Sequence, residues 1–329
     1  MSAAITPLQA TGFLLASSAV IGNDALQTLG PFLAANRGRI ARPWQALFLC
    51  AVLLAVLLLG WLRGAGDPAW GRLAHFATGV PLGWPDLIPP LAVLALTQWG
   101  APVSTSFLVL TAFTPANLPQ VLGHSLVGYT VAFLLALTLY SGVQAALAAQ
   151  TARRRVDPAG TEEATVSDPR LWLLLQWLAS GWLWSQWLIQ DLANLYIYLP
   201  RQLDATEMAA SLLALCLGVC LLAATNGGAI QQLLISKSNS EDPRATTLIS
   251  ALYGLILFGL SRWSPLPLST TWVFLGLLGG RELALRQRQG MLTPGDSLRI
   301  LGPDLLKAGL GLILSVAVAL AVPWLKAAR

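Results

Sequence analysis

The chain has 329 residues, 55% of them hydrophobic and 11% charged, with a formal net charge of +5, where a soluble domain carries about 25% charged residues. That deficit argues against a soluble domain. The basic residues sit in short clusters between apolar runs, with no basic stripe interleaved with aromatics, which suits membrane topogenesis better than nucleic-acid binding.

The expected fold class is therefore an all-α integral membrane protein. The N-terminal stretch MSAAITPLQATG lacks a basic n-region and a small-residue cleavage site, so the first helix, at about 9–35, is expected to stay in the mature protein. It carries Asn23, Asp24 and Gln27 and is followed by Arg37, Arg39 and Arg42. Long apolar runs at 45–62, 125–149, 208–224 and 305–325 have the length that a hydrocarbon core of ~30 Å requires. The stretch 151–170, TARRRVDPAGTEEATVSDPR, is the one long polar segment. It reads as a cytoplasmic linker between a first transmembrane repeat, 1–150, and a second, 171–329. Cys50, Cys216 and Cys220 fall inside apolar runs and His75 and His124 are isolated, so no disulfide framework is expected, and no metal site beyond a sodium ion.

Comparison of the chain with itself supports the division. Gly22-Asn23-Asp24-Ala25-Leu26-Gln27 matches Ile189-Gln190-Asp191-Leu192-Ala193-Asn194 at an offset of 167 residues, and Pro102-Val103-Ser104-Thr105-Ser106 matches Pro267-Leu268-Ser269-Thr270-Thr271 at an offset of 165. Two matches in one order at nearly equal offsets point to an internal duplication. Positive charge sets the orientation: Arg37, Arg39 and Arg42, Arg153, Arg154 and Arg155, and Arg281, Arg286 and Arg288 are all expected on the cytoplasmic side. If helix 1 runs inward, helix 2 (45–63) outward and 125–149 inward, then 87–114 must cross an even number of times. Its length is too short for two full spans, so it reads as a re-entrant hairpin reversing at Pro102. The second half repeats the scheme with helices at 171–199, 208–235 and 303–325 and a hairpin at 248–280 with Pro265 and Pro267 at its tip. Each half then makes three crossings, an odd number, so the two repeats are expected to be inverted. This scheme places Lys326 and Arg329 outside, against the charge trend.

Asp24 and Asp191 stand within apolar segments, where an ionised carboxylate costs roughly 2.5–3.5 kcal/mol on insertion scales and therefore implies a partner. Neither has a Lys or Arg in its own helix. A hard cation meets the need through oxygen ligands, and Asn23, Gln27, Gln190 and Asn194 add amides to the candidate cation sites. Ser104, Thr105, Ser106 and Ser269, Thr270, Thr271 would cap the returning half-helices and form an anion site from hydroxyls and free backbone N–H groups. Two carboxylates repel an anion unless cations enter with it, so ion-coupled symport of a small inorganic anion is the expected activity. Asn226, Gln231 and Gln232 beside Gly227 and Gly228 are weaker candidates for the substrate path. Trp172, Trp177, Trp182, Trp184 and Trp187 read as interfacial belts or packing. No histidine adjoins a hydroxyl cluster in the sequence, so an intramembrane enzyme has no evident base.

The motif pairs resemble the inorganic phosphate transporter (PiT) family, which includes sodium- or proton-coupled phosphate permeases and some sulfate permeases. That family carries in each half a motif like G-A-N-D-V-A-N-A-x-G-P and later one like P-V-S-T-T-H. Here the counterparts are IGNDALQTLGPFL and APVSTSFLV, then IQDLANLYIYLP and LPLSTTWVF. Gln27 and Gln190 replace asparagines, Phe107 and Trp272 stand where histidine often follows the triplet, and Tyr196, Ile197 and Tyr198 replace the second Gly-Pro region. The resemblance implies phosphate as substrate, with sulfate or bicarbonate as alternatives, and sodium or a proton as coupling ion, with no cofactor. The expected partners are the inorganic anion, the lipid bilayer and, as one option, a second copy of the chain. The expected location is the plasma (inner) membrane of a prokaryote.

Overall fold

The computed structural model describes residues 5–76, 81–98, 103–156, 169–225, 243–288 and 294–327. Every regular element among them is helical. Helix α1 (Pro7–Val20) opens on a reciprocal cap, in which Thr6 Oγ1 accepts the Gln9 N–H and Gln9 Oε1 accepts the Thr6 N–H. It continues through a π-helical segment (Ile21–Ala25) into α2 (Leu26–Asn36). Pro31, inside α2, has no N–H to give the Gln27 carbonyl. The wide turn and the proline together slacken the helix around Asn23, Asp24 and Gln27.

The rest of the first half comprises α3 (Arg42–Arg63), a short 3₁₀ turn (Trp84–Leu87), α4 (Ile88–Gln98), a π-helical segment (Ser106–Leu110), α5 (Thr111–Phe113), a 3₁₀ turn (Pro115–Asn117) and α6 (Leu118–Val156). The second half comprises α7 (Pro169–Asp191), α8 (Ala193–Tyr196), α9 (Ala205–Thr225), α10 (Pro243–Trp263), α11 (Thr270–Arg288) and α12 (Pro294–Ala327). Leu192 interrupts the helix directly after Asp191, much as the π-helical turn interrupts it at Asp24. Helix α6 extends to Val156, six residues into the segment expected to be linker, whereas 157–168 lie outside the described residues, as do Pro102, Asn226, Gly227, Gly228, Gln231 and Gln232.

Five helical stretches among the described residues are long and apolar enough to cross a bilayer: Arg42–Arg63, Pro115–Ala146, Ala205–Thr225, Pro243–Trp263 and Gly309–Lys326. Four correspond to the apolar runs of the sequence. The fifth, α10, is the first arm of the second expected hairpin, and it departs from the expected half-length. Its 21 residues extend about 31 Å, whereas α4, its counterpart in the first hairpin, has 11. The far end of α10 is held by Arg72, from the segment after α3, whose guanidinium donates to the carbonyls of Ser264 (2.7 Å) and Ser261 (3.1 Å). Burial lowers the Arg72 pKa to about 10, so the group stays charged at neutral pH and complements the C-terminal end of the helix. Pro265 and Pro267 therefore belong to an extended return, residues 264–269, that leads from this end back to Thr270.

The packing of the hairpin arms is crossed between the halves. Arm α4 lies along α1, and arm α10 lies along α7, each within its own half. The returning arms do the opposite: α11 packs on α6 of the first half, and residues 106–113 pack on α12 of the second. The α6–α11 contact is close because Gly276 and Gly280 present no side chain to it. A Cβ at Gly280 would lie 2.1 Å from the Phe133 carbonyl oxygen, and one at Gly276 would lie 2.3 Å from that of Tyr129. Elsewhere, α3 packs on α9 and on α7, where Trp184 Nε1 donates to the Leu49 carbonyl at 3.0 Å and stacks on Trp187 at 4.9 Å. These tryptophans are packing residues, while Trp182 is exposed.

Two basic positions differ from their sequence reading. Lys326, which the sequence scheme places outside, forms an ion pair of 2.6 Å with Asp86, whose buried carboxylate also accepts the Gly83 N–H at 2.8 Å. The first hairpin thus enters beside a neutralised end of α12. Arg281, grouped by sequence with Arg286 and Arg288, is buried in the protein, because α6 covers its face of α11.

Candidate functional site

The duplicated motifs meet at one buried centre. Ser104 Oγ accepts the Phe107 N–H and Ser269 Oγ accepts the Trp272 N–H, each at 3.3 Å. Both triplets therefore cap returning arms as their spacing implies. The next residue of each triplet turns to a carboxylate: Thr105 donates to Asp24 Oδ2, and Thr270 donates to Asp191 Oδ2. These two bonds occupy matched positions in the two halves.

Further contacts cross between the halves reciprocally. Thr271 Oγ1 lies 3.3 Å from the Val103 carbonyl, and Ser106 Oγ lies 3.5 Å from the Leu268 carbonyl. Val103 and Leu268 correspond at the offset of 165, as do Ser106 and Thr271. Thr271 also donates to Asp24 Oδ1 at 3.1 Å. Asn194 Nδ2 lies within 3.1–3.4 Å of Thr105 Oγ1, Ser106 Oγ and Asp191 Oδ1. With two protons it satisfies two of these three acceptors at a time. The chain Asp24–Thr105–Asn194–Asp191 thus links the two carboxylates through two side chains.

In this conformation the carboxylates and the hydroxyl triplets are in direct contact. The hydroxyl protons of Thr105, Thr270 and Thr271 point at carboxylates, and one interdigitated cluster results. Sequence spacing places the groups on their own helices but says nothing of which tip meets which helix. The amides also divide by role. Asn23 Nδ2 donates to Asp24 Oδ1 and to the Val103 carbonyl, both at 2.8 Å, while Gln27 Nε2 donates to Asn23 Oδ1 at 3.2 Å and so supports Asn23 from behind. Gln190 is fully buried, and neither of its amide atoms nor Asn194 Oδ1 has a partner among the described residues. Every candidate residue of the motif pairs is buried.

Some contributors have no motif to announce them. Ser125 Oγ, on α6, accepts the Ser269 N–H at 2.9 Å, and Tyr253 OH donates to the Thr270 carbonyl at 2.9 Å. Ser125 fixes the first residue of the second triplet and Tyr253 the middle one, and a lone Ser or Tyr in an apolar run carries no sequence signal for it. Phe107 and Trp272, at the two matched positions after the triplets, touch each other edge to face at 6.1 Å, so aromatic rings close the join between the arms. His124 Nδ1 lies 3.0 Å from Ser264 Oγ. This pair sits at the Arg72 end of α10, and Ser264 is buried and also engages Leu266.

The hydroxyls, amides and carboxylates make no hydrogen bond or ion pair to a Lys, Arg or His among the described residues. Oxygen atoms dominate the cluster, the donor set of a hard cation such as sodium.

The architecture has a solved counterpart. The chain superposes on the structure described as "The sodium-dependent phosphate transporter" with a TM-score of 0.61 at 16% identity, over 97% of this chain and 98% of that one. The likeness shows a shared fold over the whole length and, with the five apolar helical stretches, an integral membrane protein. The sequence matches no protein-family model, and no curated protein matches it.

Proposed function

We propose that the protein is a secondary active transporter of inorganic phosphate, coupled to sodium or a proton, built from two inverted-topology repeats and working by alternating access. The observation that carries this reading is the buried pair Asp24 and Asp191. Each is bonded to a threonine at a hairpin return, and the two are joined through Asn194, with the Gln190 amide left open beside them. Phosphate enters the proposal through the motif resemblance and the named fold relative.

The hydrogen-bond directions supply a coupling mechanism. Without a cation, the protons of Thr105, Thr270 and Thr271 are held by the carboxylates and cannot be donated to an anion. A cation on Asp24 or Asp191 draws the hydroxyl lone pairs to itself, because a cation takes oxygen ligands and offers no acceptor. The hydroxyl protons then turn outward and meet the anion. A proton on the carboxylate would act in the same sense by weakening its demand for donors. Charge gives the same order: two carboxylates in a low-dielectric centre repel an oxyanion until they are neutralised.

The test is uptake of labelled phosphate, sulfate and bicarbonate into proteoliposomes, with and without a sodium gradient. Uptake of phosphate is expected, with a loss of at least tenfold in Asp24→Asn and in Asp191→Asn. Uptake of sulfate or bicarbonate alone would replace the substrate but keep the mechanism. Uptake indifferent to both substitutions would refute the proposal.

A further inference from the structure

Helix α11 carries a second polar position that the carboxylate cluster does not use. Arg281 is 6% exposed, its Nε has no partner, and no carboxylate among the described residues forms an ion pair with it. The acidic side chain next to it is engaged elsewhere, since Glu282 Oε1 accepts from Arg286 Nε at 2.6 Å on a more exposed face. Opposite Arg281 stands α6, with the guanidinium 5.6 Å from the centre of the Tyr140 ring. The Tyr140 hydroxyl is buried beside this guanidinium, the one described group that engages it. A guanidinium keeps its charge at any accessible pH, and a buried charge without a counterion is strongly unfavourable. Cation and phenol together form a donor pair of the kind that a small oxyanion engages.

Position on the helix relates this pair to the central cluster. Arg281 follows Thr270 by eleven residues, which is three turns plus about 20°, so both lie on the same face with about 16 Å between them. Phe274 and Leu277 occupy that face in between, and both are buried. The first half offers no equivalent: the position 165 residues earlier is Ala116. The arrangement is therefore one-ended, on the side that carries Arg286 and Arg288.

We propose that Arg281 and Tyr140 form a second, transient site for a small tetrahedral oxyanion, lying between the hairpin returns and the arginine-rich end of α11. The proposal rests on the anion-transport reading and adds a way station to it. Arginine suits the task because its planar fork engages two oxygens of one oxyanion, and the tyrosine hydroxyl donates to a third. Phe274 and Leu277 keep this site apart from the Asp24–Asp191 centre, and an anion passes between the two when α11 shifts against α10.

The experiment uses the native protein in detergent and an arginine-specific dicarbonyl, with modification of each arginine followed by peptide mass spectrometry. Inorganic phosphate is expected to slow modification of Arg281 at least fivefold while leaving Arg286 unchanged, and to do so equally in the Asp24→Asn protein. In proteoliposomes, Arg281→Gln is expected to lower phosphate uptake at least tenfold, with Arg281→Lys intermediate and Tyr140→Phe reduced about threefold. An Arg281 that never reacts, or that reacts at one rate with and without phosphate, sulfate or bicarbonate, overturns the proposal. So does native uptake by Arg281→Gln. Protection of Arg281 in a protein that takes up no anion would instead bring down the transport reading and leave the oxyanion site standing.

Discussion

Replacing Gly280 by alanine tests whether α6 and α11 are as closely joined as their backbones imply. The new Cβ would lie 2.1 Å from the Phe133 carbonyl oxygen and 3.0 Å from the Leu137 nitrogen. Carbon–oxygen contacts settle at about 3.3 Å or more, so the helices must part by about 1 Å. Both obstructing atoms are backbone in the middle of a long helix, and no side-chain rotation relieves them. Overpacking a filled interior costs about 1–3 kcal/mol, and a clash with rigid backbone belongs at the upper end. Gly→Ala in a helix returns about 1 kcal/mol of propensity, so the net loss is about 2 kcal/mol. At Gly142, on the same α6, the Cβ of an alanine would meet nothing within 4 Å, and Gly142→Ala is expected to be neutral or up to about 1 kcal/mol stabilising. Thermal unfolding of the two purified variants, followed by tryptophan fluorescence, should place Gly280→Ala about 5 °C below native and Gly142→Ala at or above it. Phosphate uptake by Gly280→Ala should fall as well, since Thr270 and Arg281 ride on the displaced helix. Equal midpoints for the two variants would show that α6 and α11 do not approach this closely.

Three other perturbations follow from single contacts. Thr105→Val keeps the shape of a buried side chain but removes the proton given to Asp24 and the acceptor offered to Asn194. A hydrogen bond to a charged group contributes about 1.5–3 kcal/mol, so initial uptake should drop by about tenfold or more, with Thr105→Ser close to native. Lys326→Ala strands the buried Asp86 carboxylate; because Lys326 is itself partly exposed, the expected loss is about 1–2 kcal/mol, read as a lowered unfolding midpoint that Asp86→Asn in the same chain partly restores. Cys50 and Cys220 place their sulfurs 3.8 Å apart across α3 and α9, so copper-phenanthroline should join them into an intramolecular disulfide, seen as a 2 Da mass loss on peptides linking the two helices; linkage absent in intact membranes would contradict the α3–α9 packing.

Much of the architecture is legible in the sequence, for identifiable reasons. The spans follow from hydropathy because lipid leaves few alternatives to an apolar helix. The join between Asp24 and Thr105, and between Asp191 and Thr270, follows in outline from duplication, since two copies of one local pattern imply two copies of one contact. What stays hidden is whatever depends on a neighbour from the other half. Nothing local tells Gln27, which props Asn23, from Gln190, whose amide stands open. The length of α10 is obscured because Pro265 and Pro267 look like a midplane turn, whereas the helix continues until Arg72 caps it. Arg281 reads like its neighbours Arg286 and Arg288, and only the glycine-lined approach of α6 reveals that it is enclosed. Cys50, Cys216 and Cys220 lie far apart in the chain and converge only because α3 packs on α9.

The reciprocal contacts at the centre, Thr271 with Val103 and Ser106 with Leu268, are those that two identical half-length chains would make on pairing. A clasp of that kind has, in these two contacts, no front or back. Vectorial behaviour must then be written where the equivalence fails. It fails at the amides, where Gln27 supports Asn23 and Gln190 supports no described partner, and at the periphery, where Lys326 is paired with Asp86 while Arg281 is enclosed and its neighbour Glu282 turns to Arg286. On the proposed transport reading, a negatively charged solute would meet different charge at these two peripheral positions, and direction would be set there as well as at the centre.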